Sequence, residues 1–76
     1  MLKRHIMSEF SFQRGWGQVT VGQAKEVKAE IMKKLGITTN SNWLQRLKGR
    51  VEPKVSEAKA IETVFHKYKI IDIWGE

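Results

Sequence analysis

The 76-residue chain contains no cysteine and only one proline. Without cysteine, neither a disulfide nor a thiolate metal site can stabilise so short a chain. The two histidines, His5 and His66, lie far apart and lack the spacing of metal ligands. We therefore expect no metal and no cofactor. The fold must depend on packing within one small domain, or partly across a dimer interface.

Long apolar runs are also missing, and none approaches the roughly 20 residues that a membrane-spanning helix needs. The opening Met-Leu-Lys-Arg-His-Ile has a basic pair but no apolar core of a signal peptide. Together with the lack of cysteine, this predicts a cytoplasmic protein with no membrane partner. Met7 is a second possible start. Residues 1–9 are predicted to be a flexible extension, and residues 10–76 a single domain.

Motifs of catalysis are absent as well. The sequence has no Gly-x-Ser-x-Gly motif and no Gly-rich phosphate-binding loop. Glu26 and Glu30 are one helical turn apart, but lysines flank them on a predicted solvent face. We therefore expect that the protein is not an enzyme.

The chain has a net charge of +6, and its charged residues are unevenly distributed along the sequence. Residues 23–55 carry eight basic and three acidic side chains, whereas residues 56–76 carry three basic and four acidic ones. A positive excess confined to one part of a chain is typical of phosphate binding. The alternative is that the lysines serve only solubility.

Apolar spacing predicts a mainly α fold. Residues 22–35 form the clearest helix, because Val27, Ile31 and Leu35 repeat at i, i+4 intervals. Gly36 is predicted to end it in the C′ position. Residues 10–21 alternate weakly around two glycines, which predicts a short hairpin or an extended arm.

Two further helices are predicted. Trp43 and Leu47 give residues 41–48 an apolar side, and helical spacing favours Trp43 in the core over an exposed stacking role. A third helix is expected over residues 56–68 with Ser56 as its N-cap. Together they predict a small helix-turn-helix bundle.

The helix over residues 41–48 has the side chains that a major-groove reader needs. Amides and a guanidinium can reach base edges, and flanking cations can bind phosphates. The candidate DNA-binding residues are Thr38, Thr39, Asn40, Ser41, Asn42, Gln45, Arg46, Lys48 and Arg50. The alternative is the solvated polar face of an ordinary helix. If the groove interpretation is right, Arg46→Ala and Gln45→Ala should abolish duplex binding with little change in the thermal melt.

The C-terminal tail is strongly apolar. Ile70, Ile71, Ile73 and Trp74 are candidate contacts of a homodimer, and packing in the core of the same chain is the alternative. The same tail could instead bind another protein.

The arrangement resembles the lambda-repressor-like helix-turn-helix domains. The resemblance lies in the Leu-Gly-Ile-Thr of residues 35–38, the basic helix after it, and the Gly-Arg-x-x-Pro of residues 49–53. It implies a supporting helix over residues 24–35, a recognition helix over 41–48 and a closing helix over 56–68.

The chain is also similar to a group of short proteins of Bacteroidetes and their mobile elements. The shared segments are Arg-Gly-Trp at residues 14–16, residues 46–58, and Ile-Trp-Gly at residues 73–75. This resemblance implies DNA binding. The sequence therefore predicts sequence-specific binding of double-stranded DNA by a small transcriptional regulator, with a protein–protein adaptor that uses the apolar tail as the alternative.

Overall fold

Four helices make up the fold in a computed structural model that describes residues 9–76. Helix α1 spans Gln13–Trp16, α2 Val21–Leu35, α3 Asn40–Leu47 and α4 Val55–Lys67. No strand occurs in this part of the chain. The mainly α fold and its three long helices are confirmed, with each end within one residue of its predicted place. Apart from Glu9, the predicted extension of residues 1–9 lies outside the described residues.

The prediction of a hairpin or extended arm over residues 10–21 is wrong. Trp16 N–H donates to the Phe12 carbonyl at 2.9 Å, and Gly17 N–H donates to the Gln13 carbonyl at 2.8 Å, which makes this segment a single helical turn. The alternation of apolar residues suggested a strand, but Phe12 and Trp16 are four residues apart. That spacing also fits one face of a helix. Phe12 is fully buried there.

The core lies where the three long helices meet the two chain ends. Helices α2 and α4 pack directly against each other. The buried apolar residues are Phe12, Val27, Ile31, Trp43, Leu47, Ile61, Val64, Phe65, Ile70 and Ile73. The Phe12 ring meets the rings of Trp43, Phe65 and Trp74 edge to face, with centroids 5.6 to 6.2 Å apart. These aromatic contacts join the N-terminal segment to α3, α4 and the tail.

Each long helix ends in the same hydrogen-bond pattern. After α2, Gly36 adopts φ 70°, and Ile37 N–H donates back to the Met32 carbonyl at 3.0 Å. The predicted stop at Gly36 is therefore confirmed as a Schellman motif. Gly49 has the same role after α3, with φ 80°. After α4 the left-handed residue is Lys69, with φ 64°, where a β-carbon makes that conformation unfavourable.

Helix α4 begins one residue earlier than predicted, so Ser56 is not its N-cap. Lys54 occupies the N-cap position, and its carbonyl accepts from Ala58 N–H at 2.8 Å. The Glu57 carboxylate accepts from the Lys54 N–H at 2.9 Å, as an acidic residue three positions into a helix does in a capping box. A lysine ammonium cannot accept the return bond, so only this half of the box operates. Glu57, and not Ser56, supplies the side chain that bonds to the backbone at the start of α4.

The two ends of the domain are joined by backbone hydrogen bonds. Gly15 N–H donates to the Ile73 carbonyl at 2.9 Å, Arg14 N–H donates to the Gly75 carbonyl at 2.9 Å, and Gly75 N–H donates to the Ser11 carbonyl at 2.7 Å. A β-carbon on Gly15 would lie 3.1 Å from the Ile73 Cα, closer than most β-carbon contacts, so glycine favours this close approach. The Arg-Gly-Trp and Ile-Trp-Gly segments thus pair in space. None of the helices in residues 9–76 is long and apolar enough to cross a membrane.

Candidate nucleic-acid interface

Helix α3 is held to the domain by its apolar side. Trp43 and Leu47, one turn apart, are buried in the core, which confirms the core assignment of Trp43. The Thr39 hydroxyl caps the N-terminus by accepting from Asn42 N–H at 3.2 Å. The cap and the Schellman turn at Gly36 fix the direction in which α3 leaves α2. One side of α3 is thus fixed, and the opposite side is left for solvent or a partner.

A polar strip occupies that opposite side. Ser41, Gln45 and Lys48 follow the i, i+4, i+7 spacing of a single helical face, and Asn42 flanks them. Ser41, Asn42 and Lys48 are exposed, and Gln45 is half-buried. Within residues 9–76, none of these four side chains forms a hydrogen bond. We call Ser41, Asn42, Gln45 and Lys48 the polar strip.

Arg46 does not belong to this strip. Its guanidinium forms a two-pronged ion pair with Glu57 of α4, with Nη1–Oε1 at 3.1 Å and Nη2–Oε2 at 3.2 Å. The side chains of the pair are only 16% and 19% exposed. The sequence placed Arg46 on the groove-reading face, but the structure turns it toward α4, because a carboxylate offers it two matched acceptors.

The Arg46 pair also keeps Glu57 charged. The hydrogen bonds from Arg46 lower the pKa of Glu57, and the Lys54 backbone N–H acts in the same direction, while burial opposes them. The carboxylate therefore remains ionised at neutral pH. The pair ties the end of α3 to the start of α4 across the loop that contains Gly49 and Arg50.

Asn40 is the first residue of α3, and Lys28 of α2 contacts its side chain. The Lys28 ammonium donates to Asn40 Oδ1 at 2.7 Å. It also lies over the Trp43 ring, 5.5 Å from the ring centroid, within the range of a cation–π contact. Lys28 is only partly exposed. The junction of α2 and α3 therefore holds one cation against one amide.

The remaining predicted site residues lie at the two ends of α3. Thr38 is exposed in the turn before the helix, and Thr39 is exposed but its hydroxyl serves the cap. Arg50 is exposed just after Gly49, close in sequence to Lys48. Of the predicted site residues, Ser41, Asn42, Gln45 and Lys48 share one face of α3, whereas Arg46 is turned toward α4.

Cations lie near both ends of α3, with Lys28 against its first residue. Lys25 lies one turn before Lys28 on α2, and it is exposed. At the other end, Lys48, Arg50 and Lys54 are exposed, and Glu52 is an exposed acidic residue among them. Since Glu57 is neutralised by Arg46, the balance around α3 is positive. Such a balance suits a polyanion.

The tail is largely withdrawn from the surface. Ile70 and Ile73 are 6% and 2% exposed, and the Trp74 indole N–H donates to a Glu62 carboxylate oxygen at 2.8 Å. Of the four predicted dimer residues, Ile71 alone is exposed, at 80%. Packing in the core, the alternative derived from the sequence, describes the other three.

Sequence reasoning missed the role of Lys28. It was one of several lysines on α2, and nothing in their spacing separates one that contacts α3 from those that face water. The contact with Asn40 depends on how α2 and α3 cross, which the sequence does not show.

The described residues contain no cluster of three or more histidine, aspartate or glutamate side chains that could hold a metal ion. Comparisons of the chain with protein-family models, with curated proteins and with solved structures found no match. The resemblance to lambda-repressor-like domains therefore stays a prediction.

Proposed function

We propose that this protein binds double-stranded DNA by placing α3 in the major groove, and that it acts as a small transcriptional regulator. The observation that carries the proposal is the division of α3 into two sides. Trp43 and Leu47 anchor one side in the core, while the polar strip on the other side has no hydrogen-bonding partner within residues 9–76. An α-helix with such a face fits the width of the major groove.

The charges near α3 support the same proposal. Lys28 contacts the first residue of the helix, and Lys48 and Arg50 lie at its other end. Phosphates run along both edges of the groove, so cations at both ends of an inserted helix can contact them. Amide and hydroxyl groups between the cations can then meet base edges.

Unlike the sequence prediction, the proposal gives Arg46 no contact with DNA. Arg46 is paired with Glu57, so a base contact by Arg46 would require breaking two charge-assisted hydrogen bonds. Base reading is therefore assigned to Asn40, Ser41, Asn42 and Gln45, and phosphate binding to Lys48 and Arg50. The role of Arg46 is to hold α3 against α4.

A dimer and a cytoplasmic location are part of the proposal. Two copies would double the phosphate contacts, and their symmetry would set the spacing of half-sites. Of the tail residues, Ile71 is the one available for such an interface. The stoichiometry of a DNA titration reports whether one or two chains bind each site.

The test is fluorescence anisotropy of the protein with random-sequence duplex DNA at several salt concentrations. DNA binding predicts that log affinity falls linearly with log salt, with a slope of about −0.9 for each phosphate contact. Lys48→Ala should weaken binding and reduce the size of the slope by about one. Absence of binding at low salt would reject the proposal.

The matched control is Lys59→Ala. Lys59 is an exposed lysine on α4, so its removal changes the net charge by the same amount as Lys48→Ala. The control should leave the salt slope unchanged. An equal loss in both variants would show that overall charge, rather than α3, attracts the DNA.

A further inference from the structure

Asn40 stands at the start of the proposed reading helix, and its side chain accepts a hydrogen bond from Lys28 of α2. An asparagine amide presents one acceptor oxygen and one donor NH₂ group. Lys28 lies 2.7 Å from one end of that amide. Because an ammonium can only donate, the end that faces Lys28 must be the oxygen. The NH₂ group is then the end that remains for a partner.

Lys28 is itself held in place. Its ammonium lies over the Trp43 ring at 5.5 Å, and Trp43 is 3% exposed. Trp43 is in turn packed edge to face against Trp16, with 5.1 Å between centroids. A buried, well-packed ring thus positions the cation, and the cation positions the amide. Rotation of the Asn40 amide would bring its NH₂ group against the ammonium and lose the hydrogen bond.

The four bases differ in what they offer to such an amide. Adenine presents an acceptor and a donor side by side in the major groove, and a free asparagine matches both with its two ends. Guanine presents two acceptors, N7 and O6, whereas cytosine presents a donor. With its oxygen already accepting from Lys28, the amide presents chiefly its NH₂ donor, which suits guanine and weakens the paired contact with adenine. Thymine offers one acceptor, O4, and ranks between them.

We infer that Lys28 orients the Asn40 amide as a hydrogen-bond donor, so that the start of α3 selects guanine rather than adenine at one position of the DNA site. The inference rests on the proposed DNA binding and adds the identity of one base to it. Lys28 is a positioning residue here, since it acts through Asn40. The positive charge of Lys28 also disfavours adenine at this position, because the amino group of adenine presents a hydrogen-bond donor to it.

The test is selection of binding sites from a pool of randomised duplexes. The wild-type protein is compared with Asn40→Ala, Lys28→Met and Lys28→Arg. The position read by Asn40 is the one whose preference disappears in Asn40→Ala. At that position the wild type should favour guanine over adenine by about tenfold. Lys28→Met keeps the length of the side chain but removes its donor, so adenine should rise to rival guanine there.

Lys28→Arg is the conservative variant and should keep the preference for guanine, since its guanidinium also only donates. All other positions of the selected site should stay the same in the three variants. Thermal melts confirm that each variant is folded. Should Lys28→Met fail to fold, Lys28→Gln tests the same point, because its amide can accept as well as donate and no longer fixes which end of the Asn40 amide faces it.

The outcomes separate the two levels of the argument. Failure of the wild type to select any sequence would reject the proposed function itself. A selected site in which Asn40→Ala alters no position, or in which the Asn40 position reads adenine, would overturn the inference while leaving DNA binding intact. An unchanged guanine preference in Lys28→Met would show that Lys28 does not orient the amide.

Discussion

Removing the Arg46 guanidinium should destabilise the domain. Arg46 donates to both oxygens of Glu57 at 3.1 and 3.2 Å, and the two side chains are 16% and 19% exposed. An exposed ion pair contributes about 0–1 kcal/mol and a hydrogen bond to a charged group about 1.5–3 kcal/mol. This pair is largely but not fully buried, so we expect Arg46→Ala to lower the free energy of unfolding by about 1–2 kcal/mol.

Thermal unfolding followed by circular dichroism is the assay. For a domain of this size, the loss corresponds to a Tm lower by roughly 5–15 °C. Arg50→Ala is the matched control, because Arg50 is exposed and has no ion pair within residues 9–76. Its melt should stay close to that of the wild type. A melt of Arg46→Ala that coincides with that of Arg50→Ala would refute the reasoning.

The pH dependence gives a second readout of the same pair. Arg46 lowers the folded-state pKa of Glu57 below its ordinary value of 4.5. A carboxyl whose pKa is lowered by folding stabilises the fold fully above its unfolded pKa, and that contribution is lost as pH falls through the folded pKa. The stability gap between wild type and Arg46→Ala should therefore be constant near neutrality and close below pH 4.5. A gap that persists undiminished in strong acid would show that packing of the Arg46 alkyl chain is responsible.

Three further predictions concern the backbone and the tail, and each is measured by chemical denaturation. Gly15→Ala should destabilise the fold by about 1–3 kcal/mol, because its β-carbon would lie 3.1 Å from the Ile73 Cα. Gly22→Ala is the control, because its new β-carbon meets nothing within 4 Å, and alanine in a helix should stabilise the fold by about 0.5–1 kcal/mol. Equal effects of the two substitutions would contradict the close approach of Gly15 to Ile73. Lys69→Gly should stabilise by about 0.5–1 kcal/mol, since φ is 64° there, whereas Lys69→Ala should not. Trp74→Phe keeps a ring beside Phe12 but loses the 2.8 Å bond to the Glu62 carboxylate, and should cost about 1 kcal/mol; an unchanged midpoint would show that this bond contributes nothing.

The ion pair between Arg46 and Glu57 also changes how DNA binding by an Arg46 variant should be interpreted. The sequence suggested that Arg46→Ala would abolish DNA binding with little effect on the melt. With Arg46 bound to Glu57, weaker binding in that variant would follow from a displaced α3, even if Arg46 never touches DNA. Gln45→Ala and Lys48→Ala are better probes, because neither side chain has a hydrogen-bonding partner in the described part of the chain.

The sequence by itself determined the three long helices to within one residue at each end, although not the N-cap of α4. Val27, Ile31 and Leu35 mark the α2 face by spacing alone, and Gly36 marks its end because a left-handed residue without a β-carbon is favoured there. These features depend on neighbours within a few residues, so they can be predicted locally. The exposure of Ser41, Asn42 and Lys48 followed in the same way, as the side opposite Trp43 and Leu47.

Only the tertiary structure decided which distant groups meet. Arg46 pairs with Glu57, eleven residues later, and Lys28 bonds to Asn40, twelve residues later. Gly15 lies against Ile73 at the other end of the chain. Periodicity shows that a side chain faces outward but not which carboxylate or amide it meets. That choice depends on how α2, α3 and α4 cross, and the crossing is fixed by the shape of the shared core around Phe12, Trp43 and Phe65 rather than by any one segment.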